Sequence, residues 1–253
     1  NHGSFGLTPK ETLTQAAQYR EEIESNPVTG VYYDAQRRIR TAEKGIADFL
    51  GSKPDNTVFV SNATTGIQSA LFSVLKNFAG QDTTLFITDY VYPAVKNIVN
   101  VGCRMTKTNL TIIDLPTVTN NIFQLYNLIL KTVDSVTTGN KVIILDQIVS
   151  STGMILCDYD LLDVLRSKGV TVIVDGAHAP GALRHPASIV TEGYADVWTG
   201  NLHKWAYGIR PSANLVVADS WRDKLFPTII SNHYQLGFIE EYNYQGTTDP
   251  TSW

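Results

Sequence analysis

The chain has 253 residues, a formal net charge of −4, and 43% hydrophobic, 17% charged and 10% aromatic residues, which suits one large domain, or one with part of a second, around a sizeable core. Its 20 basic residues are scattered, with Arg37, Arg38 and Arg40 the one tight group, on a helical stretch that reads as a solvated face; this argues against a nucleic-acid partner. No apolar run approaches the roughly 18 residues needed to span a bilayer, so no membrane partner is expected and a cytoplasmic location is the default.

In chain order, residues 10–25 are polar and helix-favouring, and Pro27 forbids continuation. Residues 34–50 place Ile39, Ile46, Phe49 and Leu50 on one side of a helix, with Gly51 as its stop. Thr57–Val60 is a short β-prone run. It feeds an amphipathic stretch carrying Ile67, Ala70, Leu71, Val74, Leu75 and Phe78 at helical spacing. Short β-branched runs follow at Thr84–Thr88, Leu110–Leu115, Val142–Asp146, Val170–Asp175, Ala195–Thr199 and Asn214–Ala218. Helix-like segments separate most of them, notably 121–136 and 159–168. Buried strands alternating with helices imply a three-layered α/β fold with a mainly parallel sheet of about seven strands.

Ligands of such sheets bind beyond the carboxyl ends of the strands, so the polar residues after each strand are the ones to read for chemistry. Val172-Ile-Val-Asp175 ends a buried strand on a carboxylate, followed by Gly176-Ala-His178-Ala-Pro-Gly181. An aspartate there serves equally to cap a loop or to pair with a cationic ring nitrogen. Asn201-Leu-His203-Lys204-Trp205 comes just after the next strand. A lysine in such a crevice has a lowered pKa when buried, which frees a neutral amine to attack an aldehyde; alone, the pattern also fits a surface lysine. Ser61-Asn-Ala-Thr64-Thr65-Gly66 stands between a strand and a helix start, where free N–H groups suit a phosphate and the side chains suit capping. Tyr92, in Asp89-Tyr-Val-Tyr92-Pro, lies either in the crevice or in the core. Cys103 and Cys157 make no disulfide framework and stand at no metal-ligand spacing.

Four segments taken together, Asn1-His-Gly-Ser-Phe-Gly, Asn62-Ala-Thr-Thr-Gly, Val174-Asp-Gly-Ala-His-Ala-Pro-Gly and Asn201-Leu-His-Lys-Trp, resemble the class V aminotransferase family of pyridoxal 5′-phosphate (PLP) enzymes. They look most like its isopenicillin-N-epimerase-like branch, which includes hercynylcysteine sulfoxide lyases. The resemblance implies the fold type I large domain at 31–253, preceded by an N-terminal arm and first helix at 1–30, with the family's small C-terminal domain lying beyond Trp253. It implies PLP bound as a Schiff base to Lys204, with Lys204 also moving the α-proton. Asp175 would pair with the pyridinium nitrogen, His178 with the phenolic oxygen, and Tyr92 would stack on the ring. Ala63, Thr64 and His203 would reach the phosphate, Ser150 would border the ring, and Thr247, in Gly246-Thr247, would reach the phosphate of a neighbouring subunit. A homodimer with shared sites follows, as does a small amino acid substrate handled through an external aldimine and α-proton abstraction. The order of activities is C–S lyase on cysteine-derived substrates, then epimerase, then aminotransferase; a non-catalytic PLP-binding paralogue is the alternative outside enzymes.

Two other readings compete. A hydrolase or metal enzyme built from Asp175, His178, His185, His203 and His233 is weakened by the Gly and Pro residues that turn 176–181 into a loop. A Rossmann nucleotide binder lacks its Gly-x-Gly-x-x-Gly fingerprint, since Asn62-Ala-Thr-Thr-Gly stands after the first strand.

Overall fold

The structure, a computed structural model, describes residues 1–116 and 121–230. A short helix α1 (His2–Phe5) precedes α2 (Lys10–Ser25). The chain leaves α2 at Asn26, whose Oδ1 accepts the Thr29 N–H at 3.2 Å and so caps the next turn. Pro27 therefore ends one helix and begins another, because a first-turn proline has no N–H to lose. From α3 (Pro27–Thr29) the chain passes through a π-helical stretch (Gly30–Ala35) into α4 (Gln36–Leu50). The helix expected from residue 34 thus starts seven residues earlier. Gly51 closes it, donating to Ala47 O and Asp48 O.

The remaining elements alternate: β1 (Thr57–Val60), α5 (Ala63–Asn77), β2 (Thr83–Thr88), α6 (Pro93–Thr106), β3 (Asn109–Ile113), α7 (Ile122–Ser135), β4 (Asn140–Asp146), α8 (Tyr159–Ser167), β5 (Thr171–Asp175), α9 (Ser188–Thr191), β6 (Val197–Asn201) and β7 (Ala213–Val217). The seven strands form one sheet in the order β1-β7-β6-β5-β4-β2-β3. All neighbours pair in parallel except β7, which runs antiparallel to both β1 and β6. The strand expected at 195–199 begins two residues later: Ala195 and Asp196 belong to the turn before it.

Side chains alternate across the strands and fill two separate cores. Leu85, Ile87, Val142, Ile144 and Ile173 pack with Ile67, Leu71 and Val74 of α5 and with Val95 and Val99 of α6. Phe86, Ile143, Leu145, Val172 and Val174 pack on the opposite face with Leu125 and Ile129 of α7, Leu162 and Leu165 of α8, and Leu50 of α4. Covering both faces is why the strands read as continuous apolar runs rather than alternating ones. Each such side chain, taken from water, contributes on the order of 1.5–3 kcal/mol.

Asp196, 3% exposed, locks the middle of the sheet. Its carboxylate accepts from Arg166 Nη1 of α8 at 2.9 Å, from the Val172 N–H of β5 at 2.8 Å and from Trp221 Nε1 at 3.0 Å. This fixes β5 beside β6, and hence the relative positions of the loops at their ends. Among the described residues no helix is long and apolar enough to cross a membrane.

Candidate active site

Strands β4, β5 and β6 end side by side, and each ends on a polar residue: Asp146, Asp175 and Asn201. Asp146 and Asp175 are direct register partners. Together with the loops that follow them they form a cavity of about 210 Å³ that includes Lys204, His178, Tyr92 and Ser4 in its wall.

Asp175 is 4% exposed, and its Oδ1 accepts the Ala177 N–H at 2.9 Å. The turn that follows needs Gly176: a Cβ there would meet the buried Trp198 indole at 2.3 Å. The Ala179 N–H returns to Gly176 O at 2.8 Å. This compact turn sets His178 beside the lysine, with His178 Nε2 3.2 Å from Lys204 Nζ.

Lys204 stands in the loop that reverses the chain from β6 into antiparallel β7. Leu202 N–H donates to Ser212 O at 3.0 Å, Gly208 N–H to Leu202 O at 2.8 Å, and Tyr207 N–H to Lys204 O at 3.2 Å. The N-terminal segment packs on this loop: Arg210 Nη1 donates to Gly6 O at 2.6 Å and Thr8 Oγ1 to Gly208 O at 3.2 Å. Lys204 is thereby held from both sides, and Ser4 is carried into the cavity wall.

The start of α5 forms another side. Asn62 caps the helix, its Oδ1 accepting the Thr65 N–H at 2.8 Å. Gly66 lets the helix sit on β6, since a Cβ would meet Thr199 Oγ1 at 2.2 Å. The Ala63 N–H donates to Asn201 Oδ1 at 2.9 Å, so of the two residues of α5 expected to reach a phosphate, Ala63 has its N–H engaged. No hydrogen bond among the described residues takes the Thr64 N–H or hydroxyl. His203 Nδ1 lies 2.8 Å from Ser212 O and 3.3 Å from Ser212 N, and Nε2 has no hydrogen-bond partner among the described residues.

Tyr92, the residue before α6, is 48% exposed and lines the cavity, as does Ser150 in the turn after β4. Thr247, His233 and the aromatic residues at 234–244 lie outside the described residues. His185 takes no part in the cavity: its side chain packs against Gly51. Among the described residues no group of three or more His, Cys, Asp or Glu is placed so that it could hold a metal ion. Asp146 and Asn201 were given no role from the sequence. A signal for Asp146 was present, because Val-Ile-Ile-Leu-Asp146 ends a buried strand on an aspartate just as Val-Ile-Val-Asp175 does.

Electrostatics follow from burial around one cation. Burial lowers the pKa of Lys204 toward a neutral amine, and the carboxylate of Asp175 opposes that shift. Burial also lowers His178 to about 4, with the Lys204 charge acting in the same direction, so the imidazole is neutral at physiological pH. Burial raises Asp175, while the Ala177 N–H and Lys204 hold it down. Asp146 is raised well above the ordinary aspartate range, first by burial and then by the charge of Asp175.

A mainly parallel seven-stranded sheet covered on both faces, with a buried aspartate and a desolvated lysine at adjacent strand ends, defines the fold type I class. The Aminotransferase class-V family profile matches residues 6–209, and the chain belongs to that family. Among curated relatives it is 28% identical over 222 residues to the L-cysteine desulfhydrase-like protein lolT1 of Epichloe uncinata, covering 87% of this chain and 47% of that one. It is 23% identical over 235 residues to the isopenicillin N epimerase of Streptomyces clavuligerus, covering 93% and 57%. The chain thus spans about half the length of these curated relatives. Among solved structures, the cystine C–S lyase C-DES in complex with cysteine persulfide superposes with a TM-score of 0.78 at 19% identity, over 91% of this chain and 60% of that one. A C-DES variant with glycine covalently linked to its PLP cofactor gives 0.76 at 18% identity, over 91% and 59%.

Proposed function

We propose that this chain is the cofactor-holding part of a PLP-dependent enzyme that acts on an amino acid, and that its reaction is cleavage of a C–S bond in a cysteine-derived substrate. The observation that carries the reading is Lys204 Nζ, desolvated and 3.2 Å from a neutral His178, in one cavity with the strand-end carboxyl of Asp175. The residues present fit the cofactor: a buried carboxylate for a ring N–H, unpartnered Thr64 N–H and hydroxyl groups at the N-terminus of α5 for a phosphate, and an amine of lowered pKa for its aldehyde.

When bound, PLP supplies an electron sink for the negative charge that develops at the substrate's α-carbon. Asp175 would hold the ring proton, and its negative charge would keep that proton in place. Thr64 would bind the phosphate with the dipole of α5 aiding it, and His203 would donate to it from Nε2 in the tautomer whose Nδ1 accepts the Ser212 N–H. His178 Nε2 would orient the Lys204 amine, and Lys204 Nζ would take and return the proton at the substrate's α-carbon. Tyr92 and Ser150 would bound the flat ring, one at the start of α6 and the other after β4.

C–S cleavage is supported by the desulfhydrase-like relative and by the superposition on a C–S lyase; the epimerase relative, which aligns over more of the chain, supports epimerisation as the second reading. Full-length protein supplied with PLP and cysteine, cystine or a cysteine sulfoxide should release pyruvate and ammonia, with the sulfur leaving as sulfide, cysteine persulfide or a sulfenic acid respectively. Accumulation of the D-enantiomer with no pyruvate would overturn the lyase reading in favour of the epimerase.

The working form proposed is a homodimer in which Thr247 reaches the partner's cofactor. Support comes from the exposed apolar surface at the N-terminal end: α2 buries no residue, and Leu13, Tyr19, Val28, Val31, Tyr32 and Tyr33 are all exposed. Light scattering of the full-length protein should return twice the subunit mass, and Thr247→Ala should weaken PLP binding. A monomer that retains PLP on dilution would contradict this.

A further inference from the structure

Two carboxyls stand at the floor of the cavity where the proposed chemistry uses one. Asp146 and Asp175 terminate neighbouring parallel strands in direct register, and both are 4% exposed. Their bonding differs. Asp175 Oδ1 accepts the Ala177 N–H, whereas Asp146 is bonded by its own backbone N–H and its Oδ2 is buried with no hydrogen-bond partner among the described residues. A buried, unbonded carboxylate oxygen is costly, and a second negative charge beside the first adds to that cost. Of the cationic groups around the pair, Lys204 lowers the pKa of Asp175, and it is not among the causes acting on Asp146. His178 is neutral, and Cys157, buried beside Asp146, has its thiol pushed up by burial and by the charges of Asp158 and Asp146. Among the described residues no cation acts on Asp146.

We propose that Asp146 is a second, positioning carboxyl of the site: it keeps its proton, leaves Asp175 as the single charged carboxylate, and presents Oδ2–H as a free hydrogen-bond donor at the cavity floor beside Asp175. The upward shift of Asp146 agrees with this division: its own backbone N–H alone opposes the shift, whereas the Ala177 N–H and Lys204 both hold Asp175 down. Where two like groups share a buried site, the one with the better acceptor environment ionises and the other stays neutral. The ring-binding part of the role rests on the PLP reading; the proton on Asp146 does not.

The linkage has a definite sign. An aspartate whose folded-state pKa lies above its unfolded value of 3.8 keeps a proton that the unfolded chain has released. Its favourable contribution is complete at low pH and is lost as pH rises through that window. The test uses full-length protein freed of cofactor, with thermal midpoints measured between about pH 4 and 8. Asp146→Asn has the shape of the protonated acid and keeps a donor. Its midpoint should match that of the wild type at the acid end and exceed it increasingly toward the alkaline end. Asp146→Ala should lose stability at every pH yet share the flatter slope of the Asn variant. Parallel curves for wild type and Asp146→Asn would overturn the proposal.

A second readout adds PLP at neutral pH. The visible band of the Asn variant should coincide with that of the wild type, while the Ala variant, lacking the donor, should be displaced. Coincidence of all three bands would overturn the positioning role. Absence of any visible band in the wild type would instead count against the PLP reading, and the midpoint curves would still decide where the proton resides.

Discussion

Lys204→Ala should remove covalent cofactor attachment and lower turnover by roughly 10⁴-fold or more, because one substitution deletes the amine proposed both to hold the cofactor and to move the α-proton. The effect should be chemical rather than structural. Lys204 is held through its backbone and its neighbours: Tyr207 N–H donates to Lys204 O, and Gly208 and Ser212 close the loop on Leu202. Truncating the side chain leaves those bonds in place, so far-ultraviolet dichroism and the thermal midpoint should change little. Lys204→Arg separates charge from nucleophilicity: it restores a cation beside Asp175, but a guanidinium does not give up its proton in a protein, so turnover should stay lost. Steady-state rates of both variants at saturating PLP check this, and an Arg variant with appreciable activity would refute the amine's role.

Asp175→Asn carries the second-largest effect and should separate binding from catalysis. The asparagine Oδ1 still accepts the Ala177 N–H, so the turn that carries His178 is preserved. What disappears is the negative charge opposite the ring nitrogen. Neutralising one member of a buried pair costs about 3–5 kcal/mol, which is roughly 10²- to 10⁴-fold in rate if it is expressed in the transition state. Cofactor attachment should survive, because Asp175 raises the pKa of Lys204 and its loss leaves the amine more readily neutral. Retained PLP with collapsed turnover is the expected pattern, measured by reductive trapping of the cofactor and by initial rates. Turnover near that of the wild type would contradict the assignment.

The layer order was legible in the sequence because burial on both faces writes itself as short apolar runs, and all seven strands fall within two residues of the expected bounds at each end. Strand direction was not: the pattern Asn214–Ala218 resembles its neighbours, and only the short 202–212 reversal makes β7 antiparallel. The continuous helical path from Pro27 to Leu50 was hidden because proline is read first as a breaker, while its first-turn role depends on the Asn26 cap. The helix α6 carries an apolar stripe of Val95, Ile98, Val99 and Cys103 that was passed over beside longer β-branched runs.

At the site, Asp175, His178 and Lys204 were visible as strand-end residues, and the structure places them around one cavity. Asp146 shared the same pattern but drew no attention, since a strand-end aspartate gains meaning only from its neighbour across the sheet. The engagement of Ala63 by Asn201 joins residues 138 positions apart, a distance no local pattern reports.

The central claim is that Lys204 is the residue joined to the cofactor. Reducing the full-length protein with borohydride in the presence of PLP, then digesting and mapping it, tests this directly. The account predicts the pyridoxyl mass on the peptide containing Lys204. The same mass on Lys107 or Lys141, or on no lysine at all, would contradict it.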